Sequence, residues 1–323
     1  MTTQSPIFEH SLGLILDISI WSGAKNLKPE DFAGIDLPPE ELISLGSKRI
    51  HNKEAFKPIQ AVRTKALTYL ESVAVSLYGG RIWIVPEARK DEIEAALSDL
   101  AREFHAEKNN FLNGFYQAQG DWLEKNYEWA NILRPYLETP SSIENKFGFK
   151  WRKFRMSSDS DDPGFVQTLT NDLAGTMLRE ISILAGETHT SLKDRDRATF
   201  KNLNRLDRLA EKLRGLSFVT PGVSVIEAEL QQFLDQRDSG GALTGASLFN
   251  LTRLLVQLKS PDVLQDILDA AEQGDAYQFV YPPYQQLTTI TAPAPQPVQQ
   301  PTPTNGFIPP PAAPQPRLPS AWF

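Results

Sequence analysis

The strongest periodic signal in the chain begins after Pro86. Apolar or small side chains recur at Ile93, Leu97, Leu100, Phe104, Phe111, Phe115, Ala118, Trp122, Trp129, Leu133 and Tyr136. Each step is three, four or seven residues, so one face of a helix stays apolar for about twelve turns. A helix of about 45 residues spans roughly 70 Å at 1.5 Å per residue. A small globule cannot enclose that length, so a second long segment is expected to cover the apolar face. Asp162-Pro163 offers an acidic N-cap followed by proline at the first helical position. Val166, Leu169, Leu173, Met177, Ile181 and Leu184 then form a second stripe, and Leu203, Leu206, Ala210 and Leu213 continue it at heptad-like spacing. Residues 86–138 and 163–217 are therefore predicted to pack as antiparallel partners.

Strand signals flank these helices. Residues 12–21 (LGLILDISIW) read as a buried strand ended by Ser22-Gly23, and Pro29, Gly34, Pro38 and Pro39 make the next stretch irregular. A helix is expected from after Pro58 to about Tyr78, where Gly79-Gly80 stops it, and Arg81–Val85 is a short strand. Between the two long helical segments, Ile143–Met156 alternates Phe147, Phe149 and Trp151 against Lys146, Lys150 and Arg152. That period of two is strand-like, and the segment is predicted at the exposed tip where the long helices connect, before an acidic loop, Ser157–Asp162. Ser224 with Glu227 is a capping-box pattern, and Ser260-Pro261-Asp262 opens a last helix to about Gln273. From Thr291 onward prolines alternate with Ala, Gln and Thr, and Arg317 carries the sole charge before Ala321-Trp322-Phe323. Such a segment has too little apolar surface to fold.

The predicted fold class is mainly α: an elongated antiparallel long-helix, coiled-coil-like hairpin with a few short β-strands and a disordered proline-rich C-terminal tail. Residues 1–57 form an N-terminal strand and irregular segment packed on helices. Residues 58–217 hold the hairpin with short β segments at 81–85 and 143–156, residues 218–290 the shorter helices, and residues 291–323 the tail.

Composition narrows the function classes. The 323 residues are 41% hydrophobic and 23% charged, enough for a sizeable core. A formal charge of −7 argues against coating nucleic acid with the whole surface, while leaving room for local basic patches. With no cysteine, disulfides, cysteine-ligated metals and thiol nucleophiles are excluded. Leu12–Trp21 is interrupted by Asp17 and preceded by no basic residue, unlike a secretory signal, and no apolar run of about 18 residues exists. Cytoplasmic localisation is the expectation.

Motifs of catalysis are missing from the sequence: there is no GxxxxGK[ST], HExxH, GxSxG or EF-hand loop. His10, His51, His105 and His189 lie far apart. No catalytic residue, metal ligand or cofactor is assigned, and the chain does not read as an enzyme. Two basic features remain. Lys146, Lys150, Arg152, Lys153 and Arg155 surround Phe147, Phe149, Trp151 and Phe154. Interleaved cations and aromatics suit single-stranded nucleic acid, an anionic membrane surface or an acidic protein partner. They equally suit a hairpin with its aromatic face packed inward and its basic face wet. Arg197, Lys201, Arg205, Arg208 and Lys212 form a second stripe at spacings of four, four, three and four, diluted by Asp194, Asp196, Asp207 and Glu211. It reads as a solvated helix face or as a surface for phosphates or an acidic partner. The proline-rich segment reads as a tether or as a polyproline II ligand.

Finally, Trp21-Ser22-Gly23-Ala24-Lys25, Leu37-Pro38-Pro39-Glu40-Glu41-Leu42, Leu45-Gly46-Ser47-Lys48, Gly80–Pro86 (GRIWIVP), and Phe104, Lys108 and Trp122 recur in order and spacing. Over its first 140 residues the chain thereby resembles a domain-of-unknown-function family of bacteria, phages, plasmids and integrative elements. The resemblance implies a protein encoded beside a MoxR-type AAA+ ATPase and a von Willebrand factor A-domain protein, as an accessory component of an ATP-driven remodelling machine. It carries no catalytic residue with it. Trp21, Ser22, Gly23, Lys25, Gly46, Ser47, Lys48, Gly80 and Pro86 are the matching positions. Their glycines suggest turns, and Lys25 and Lys48 are either exposed contacts or anchors of the N-terminal strand. The expectation is a non-enzymatic adaptor whose partner is the ATPase, the A-domain protein or both. A nucleic-acid-binding accessory factor using 146–155 and 197–212 is the alternative, and a homo-oligomer is compatible with either. A membrane-active protein resembling helical pore-formers ranks last, because the tip is more basic than greasy.

Overall fold

Ile7 and Phe8 of a short first helix, α1 (Pro6–His10), are buried and deliver the chain into strand β1 (Ser11–Ser19), the strand expected at 12–21. The computed structural model describes residues 6–32, 45–157 and 164–283. The Leu37–Leu42 motif, the Asp162-Pro163 helix start, nearly all of the acidic loop and the proline-rich segment lie outside the described residues. After β1, β2 (Ala24–Asn26) and β3 (Ser47–Arg49) pair as a separate antiparallel ribbon.

Helix α2 (Lys57–Val73) stops at Val73 rather than near Tyr78. Ala74 is extended, and Val75–Leu77 becomes strand β4, paired with β5 (Ile82–Pro86) across Gly79-Gly80. The turn demands left-handed backbone at Tyr78, Gly79 and Gly80, with φ of 52°, 71° and 83°, which the two glycines adopt at little cost.

The stripe after Pro86 is divided rather than continuous. It comprises α3 (Lys90–Asn113), α4 (Phe115–Lys125) and the single turns α5 (Ala130–Leu133) and α6 (Pro140–Ile143). Gly114, at φ −87° and ψ 2°, departs from helical geometry. Its amide still bonds the Asn110 carbonyl, and Ala118 N–H bonds the Gly114 carbonyl. The helical phase therefore survives the break, which is why the apolar spacing did not betray it.

Of the strand-like stretch expected at 143–156, Gly148–Phe154 forms strand β6, whereas Ile143 ends α6 and Glu144–Lys146 is a 3-10 turn, so Lys146 lies outside the strand. The remaining elements are α7 (Phe165–Leu192), β7 (Arg197–Ala198), α8 (Phe200–Gly215), α9 (Pro221–Leu234), β8 (Leu243–Thr244), α10 (Gly245–Leu258) and α11 (Pro261–Glu272). The described residues are thus mostly helical with a few antiparallel strands.

A four-stranded antiparallel sheet, in order β4-β5-β1-β6, separates two hydrophobic cores. Within β5, Ile84 joins one core and Trp83 and Val85 the other, as strand alternation requires. The first core holds Val75, Leu77 and the apolar faces of α7 to α11; the second holds Leu12, Leu14 and the faces of α2 and α3. Ile93, Leu97, Phe104 and Phe111 therefore lie in a different core from Leu169, Leu173, Met177 and Ile181. The expected hairpin seam between the two long stripes is replaced by two separate covers. Helix α3 packs on α2 and β6, whereas α7 packs on α10, α8 and β4.

In the second core Trp21 meets His51, Phe56, Phe111 and Phe115 at ring-centroid distances of 5.8, 5.7, 6.3 and 5.8 Å. His51 is fully buried and, among the described residues, its Nε2 has no hydrogen-bond partner. Burial holds its imidazole below the ordinary value of 6.5. The unfolded chain accepts a proton near that pH and the folded chain does not, so stability falls as pH drops below 6.5. His51→Phe should flatten this acid-side loss in urea titrations at pH 7 and pH 5. Elsewhere, a Cβ on Gly222 of α9 would stand 2.4 Å from Leu268 Cδ2 and 3.0 Å from the α11 backbone. Gly222→Ala is expected to cost about 1–3 kcal/mol by urea denaturation, since the two helices must separate.

Candidate functional site

β6 forms one edge of the sheet, paired with β1 from Gly13↔Phe154 to Ser19↔Gly148 and, among the described residues, with nothing on its other side. The basic, aromatic segment is thus built into the sheet and is not the tip of a helical hairpin. Its alternation sorts the side chains by face. Phe149 is buried against Phe104 at 5.6 Å between centroids, with Trp151 half-buried beside it. Lys150, Arg152 and Phe154 lie on the opposite face, all exposed. Phe154 covers Gly13: a Cβ on that glycine would stand 2.2 Å from Phe154 Cζ. Two apolar side chains stay open on this face, Ile15 at 41% exposure and Phe154 at 36%.

Most cations of the first cluster already have acidic partners. Lys146 pairs with Glu138 at 2.6 Å, Lys153 with Glu94 at 2.6 Å and Arg155 with Glu87 at 2.5 Å. The Arg155 guanidinium holds the Glu87 carboxyl below its ordinary value. Lys150 and Arg152 have no ion pair or side-chain hydrogen bond among the described residues, although Asp17 stands in register with Lys150.

The second basic feature does not stay together. Arg197, Lys201, Arg205 and Arg208 are exposed, but Lys212 is 5% exposed. Its ammonium donates to Glu180 Oε2 at 2.5 Å and to the Glu71 carbonyl at 2.7 Å, tying α8 to α7 and to the end of α2. Lys212 is a structural clip and not an available contact, because an unpaired ammonium in that position would carry a heavy desolvation cost. Arg205 pairs with Glu187 at 2.9 Å and Arg197 with Asp238 at 3.7 Å. Lys201 and Arg208 remain unpaired among the described residues. Arg205 and Arg208 edge a groove also lined by Thr68, Ser72 and Ile183.

The motif positions near the N-terminus assemble a scaffold. Trp21 sits in the aromatic cluster, and Ser22 Oγ accepts from Ala24 N–H at 3.3 Å. Gly23 has φ of 62°, and a Cβ there would lie 2.8 Å from the Phe56 ring, so both backbone and space require glycine. Gly46, at φ 73°, accepts from Leu27 N–H at 3.0 Å just before Ser47 opens β3. Gly80 shapes the β4–β5 turn, and Pro86 is buried at the end of β5.

Lys48 is 8% exposed, paired with Asp31 and 3.1 Å from the Tyr136 ring centroid. The Lys48 hydrogen bond, with a second from Lys28 N–H, holds the Asp31 carboxyl below its ordinary value. Lys25 reaches Glu138 Oε1 at 2.7 Å, the same oxygen that Lys146 contacts. Burial alone would raise the Glu138 carboxyl, but Lys146 and Lys25 outweigh it and hold it below its ordinary value. Lys25 and Lys48 therefore anchor the N-terminal region.

Exposed aromatics were hidden inside the helical pattern. Trp129, expected on a buried face, is 61% exposed, with Tyr116 and Tyr127 also open. The helix ends at Asn126, and the 3-10 turn Tyr127–Trp129 re-aims the chain. Asn126 was the readable stop signal. Trp129, Trp122, Ile132, Tyr136 and Phe32 line a groove of ≈ 840 Å³, where Trp122 Nε1–H donates to the Arg49 carbonyl at 3.3 Å. Among the described residues no group of three or more His, Asp or Glu is placed to hold a metal ion. No described helix is long and apolar enough to cross a membrane.

These features define a mostly helical protein built on a small antiparallel sheet, with an open, partly basic sheet edge. The chain belongs to the family described as Protein of unknown function (DUF3150), whose profile matches residues 10–260. The family thus extends past the first 140 residues, through α7 to α10. No curated protein and no solved structure matches the chain.

The ion pairs differ in burial, and their removal should differ accordingly. Lys48→Ala strands Asp31 beneath Tyr136 and is expected to lower the urea midpoint more than Lys25→Ala, whose side chain is 36% exposed. Equal midpoints would contradict the anchoring role of Lys48.

Proposed function

We propose that this chain is a non-enzymatic interaction protein, an accessory component of a MoxR-type AAA+ ATPase and von Willebrand factor A-domain system of a bacterial, phage or plasmid element. The observation that carries the partner-binding part is the open face of β1 and β6, where Ile15 of β1 and Phe154 of β6 stay exposed beside Lys150 and Arg152, which have no ion pair among the described residues. Apolar side chains grouped with uncompensated charge on a sheet edge are a feature of binding surfaces. The ATPase assignment follows from the family resemblance.

A nucleic-acid-binding accessory factor is the second reading, and the same unpaired cations beside Phe154 favour it. Phosphate binding draws its strength from the number of cations free to displace counterions. Glu138, Glu94, Glu87, Glu187 and Asp238 already occupy much of both basic features, and Lys212 is buried. That leaves Lys150, Arg152, Lys201 and Arg208, which weighs toward a protein partner.

Affinity purification of the tagged chain from its native host should recover both the ATPase and the A-domain protein. Absence of both at low salt would sink the ATPase assignment. On the second reading, Lys150→Glu with Arg152→Glu should reduce the log–log salt slope for a single-stranded oligonucleotide by about 1–2. An unchanged slope would remove β6 from any nucleic-acid surface.

A further inference from the structure

The free edge of β6 is a more specific surface than its charge alone suggests. In an antiparallel ladder, alternate residues turn their N–H and C=O groups toward one neighbour and the rest turn theirs away. Among the described residues β6 pairs with β1 alone, and no other backbone or side-chain group of theirs bonds to the outward set. Helix α3 covers the Phe149 face of the strand, leaving the Lys150, Arg152 and Phe154 face uncovered.

We propose that β6 accepts an acidic, extended segment of a partner protein as a fifth strand of the sheet. This deepens the interaction-protein reading and rests on its partner-binding part. An added strand places every second side chain over the face that carries Lys150, Arg152 and Phe154, at spacings of about 6.6–6.8 Å. Carboxylates at two such positions meet Lys150 and Arg152, and an apolar residue at the next stands opposite Phe154. Cross-strand pairs of opposite charge and of apolar groups each stabilise such an addition.

The same geometry disfavours the other ligands. A DNA backbone supplies acceptors for outward N–H groups and no donor for the outward carbonyls, and an RNA backbone offers only its 2′-hydroxyls, whereas a peptide strand satisfies both sets in register. Lysine on an edge strand repels basic or like strands. Here the two cations thus reject a second copy of β6 and select an acidic strand. Guarding the edge alone gives no reason for Ile15 and Phe154 to stay open together.

The test uses the full chain and a labelled peptide, Val-Thr-Glu-Thr-Glu-Thr-Val, which presents the same pattern in either strand direction. Fluorescence anisotropy should show saturable binding that weakens about tenfold or more in Lys150→Glu/Arg152→Glu. The milder Lys150→Ala/Arg152→Ala should weaken it less with unchanged circular dichroism, separating binding from folding. N-methylation of alternate peptide amides should abolish binding in one of the two registers. No binding of the parent peptide, equal binding of both N-methylated registers, or equal binding by the Glu variant would overturn the proposal. So would tighter binding of a thymidine oligonucleotide that competes with the peptide. Peptide binding without recovery of the ATPase from the host would leave the edge site standing and remove the ATPase assignment. Recovery of the ATPase without peptide binding would do the reverse.

Discussion

Because successive residues of a strand point to opposite faces, β5 has to serve two cores at once: Ile84 goes to one, Trp83 and Val85 to the other. That double duty constrains the whole fold. A one-residue slip of β5 against β1 would carry Ile84 into the core of α2 and α3 and push Trp83 among α7 to α11. The register Leu12↔Val85, Gly13↔Ile84, Leu14↔Trp83 is therefore held from both sides. Each helix group has a sheet face to cover, and the two groups meet directly where α8 lies against α2.

The sheet is buried unequally, and this produces the site. Where β4, β5 and the first half of β1 lie, helices cover both faces, and the residues of β1 from Ser11 to Leu14 are buried without alternation. Toward the end of β1 and along β6 the cover on one face runs out, and the alternation appears. Gly13 belongs to this transition. A larger residue there would displace the Phe154 ring that lies across the sheet at its open margin. Ionic compensation then selects among the cations. Lys146, Lys153 and Arg155 are drawn to glutamates beside the sheet, so Lys150 and Arg152 are the ones left without an ion pair among the described residues.

Glu138 connects this edge to the N-terminal scaffold. It receives Lys25, from the ribbon that follows Trp21, and Lys146, from the turn that leads into β6. Gln119 of α4 adds a hydrogen bond to the Glu138 carbonyl at 3.3 Å. The motif lysines thus pair with carboxylates of neighbouring elements and hold those elements in place.

Several features were legible in the chain alone. The strands within 12–21 and 81–85, the β6 part of 143–156, the glycine turns and the apolar faces of α3, α7 and α8 follow from alternation, left-handed backbone and helical period, all properties of a few neighbouring residues. The break at Gly114 was not legible, because the helical phase runs through it. Nor was the exposure of Trp129, because an apolar residue in phase reads as buried whether or not a cover exists. Periodicity determined that each helix has a face needing cover; tertiary structure decided which surface supplies it. The same division governs the charges. Spacing placed five cations around β6, but Lys25 and Glu138 stand 113 positions apart. Only the folded chain decides which ammonium groups find a carboxylate, and so which remain for a partner.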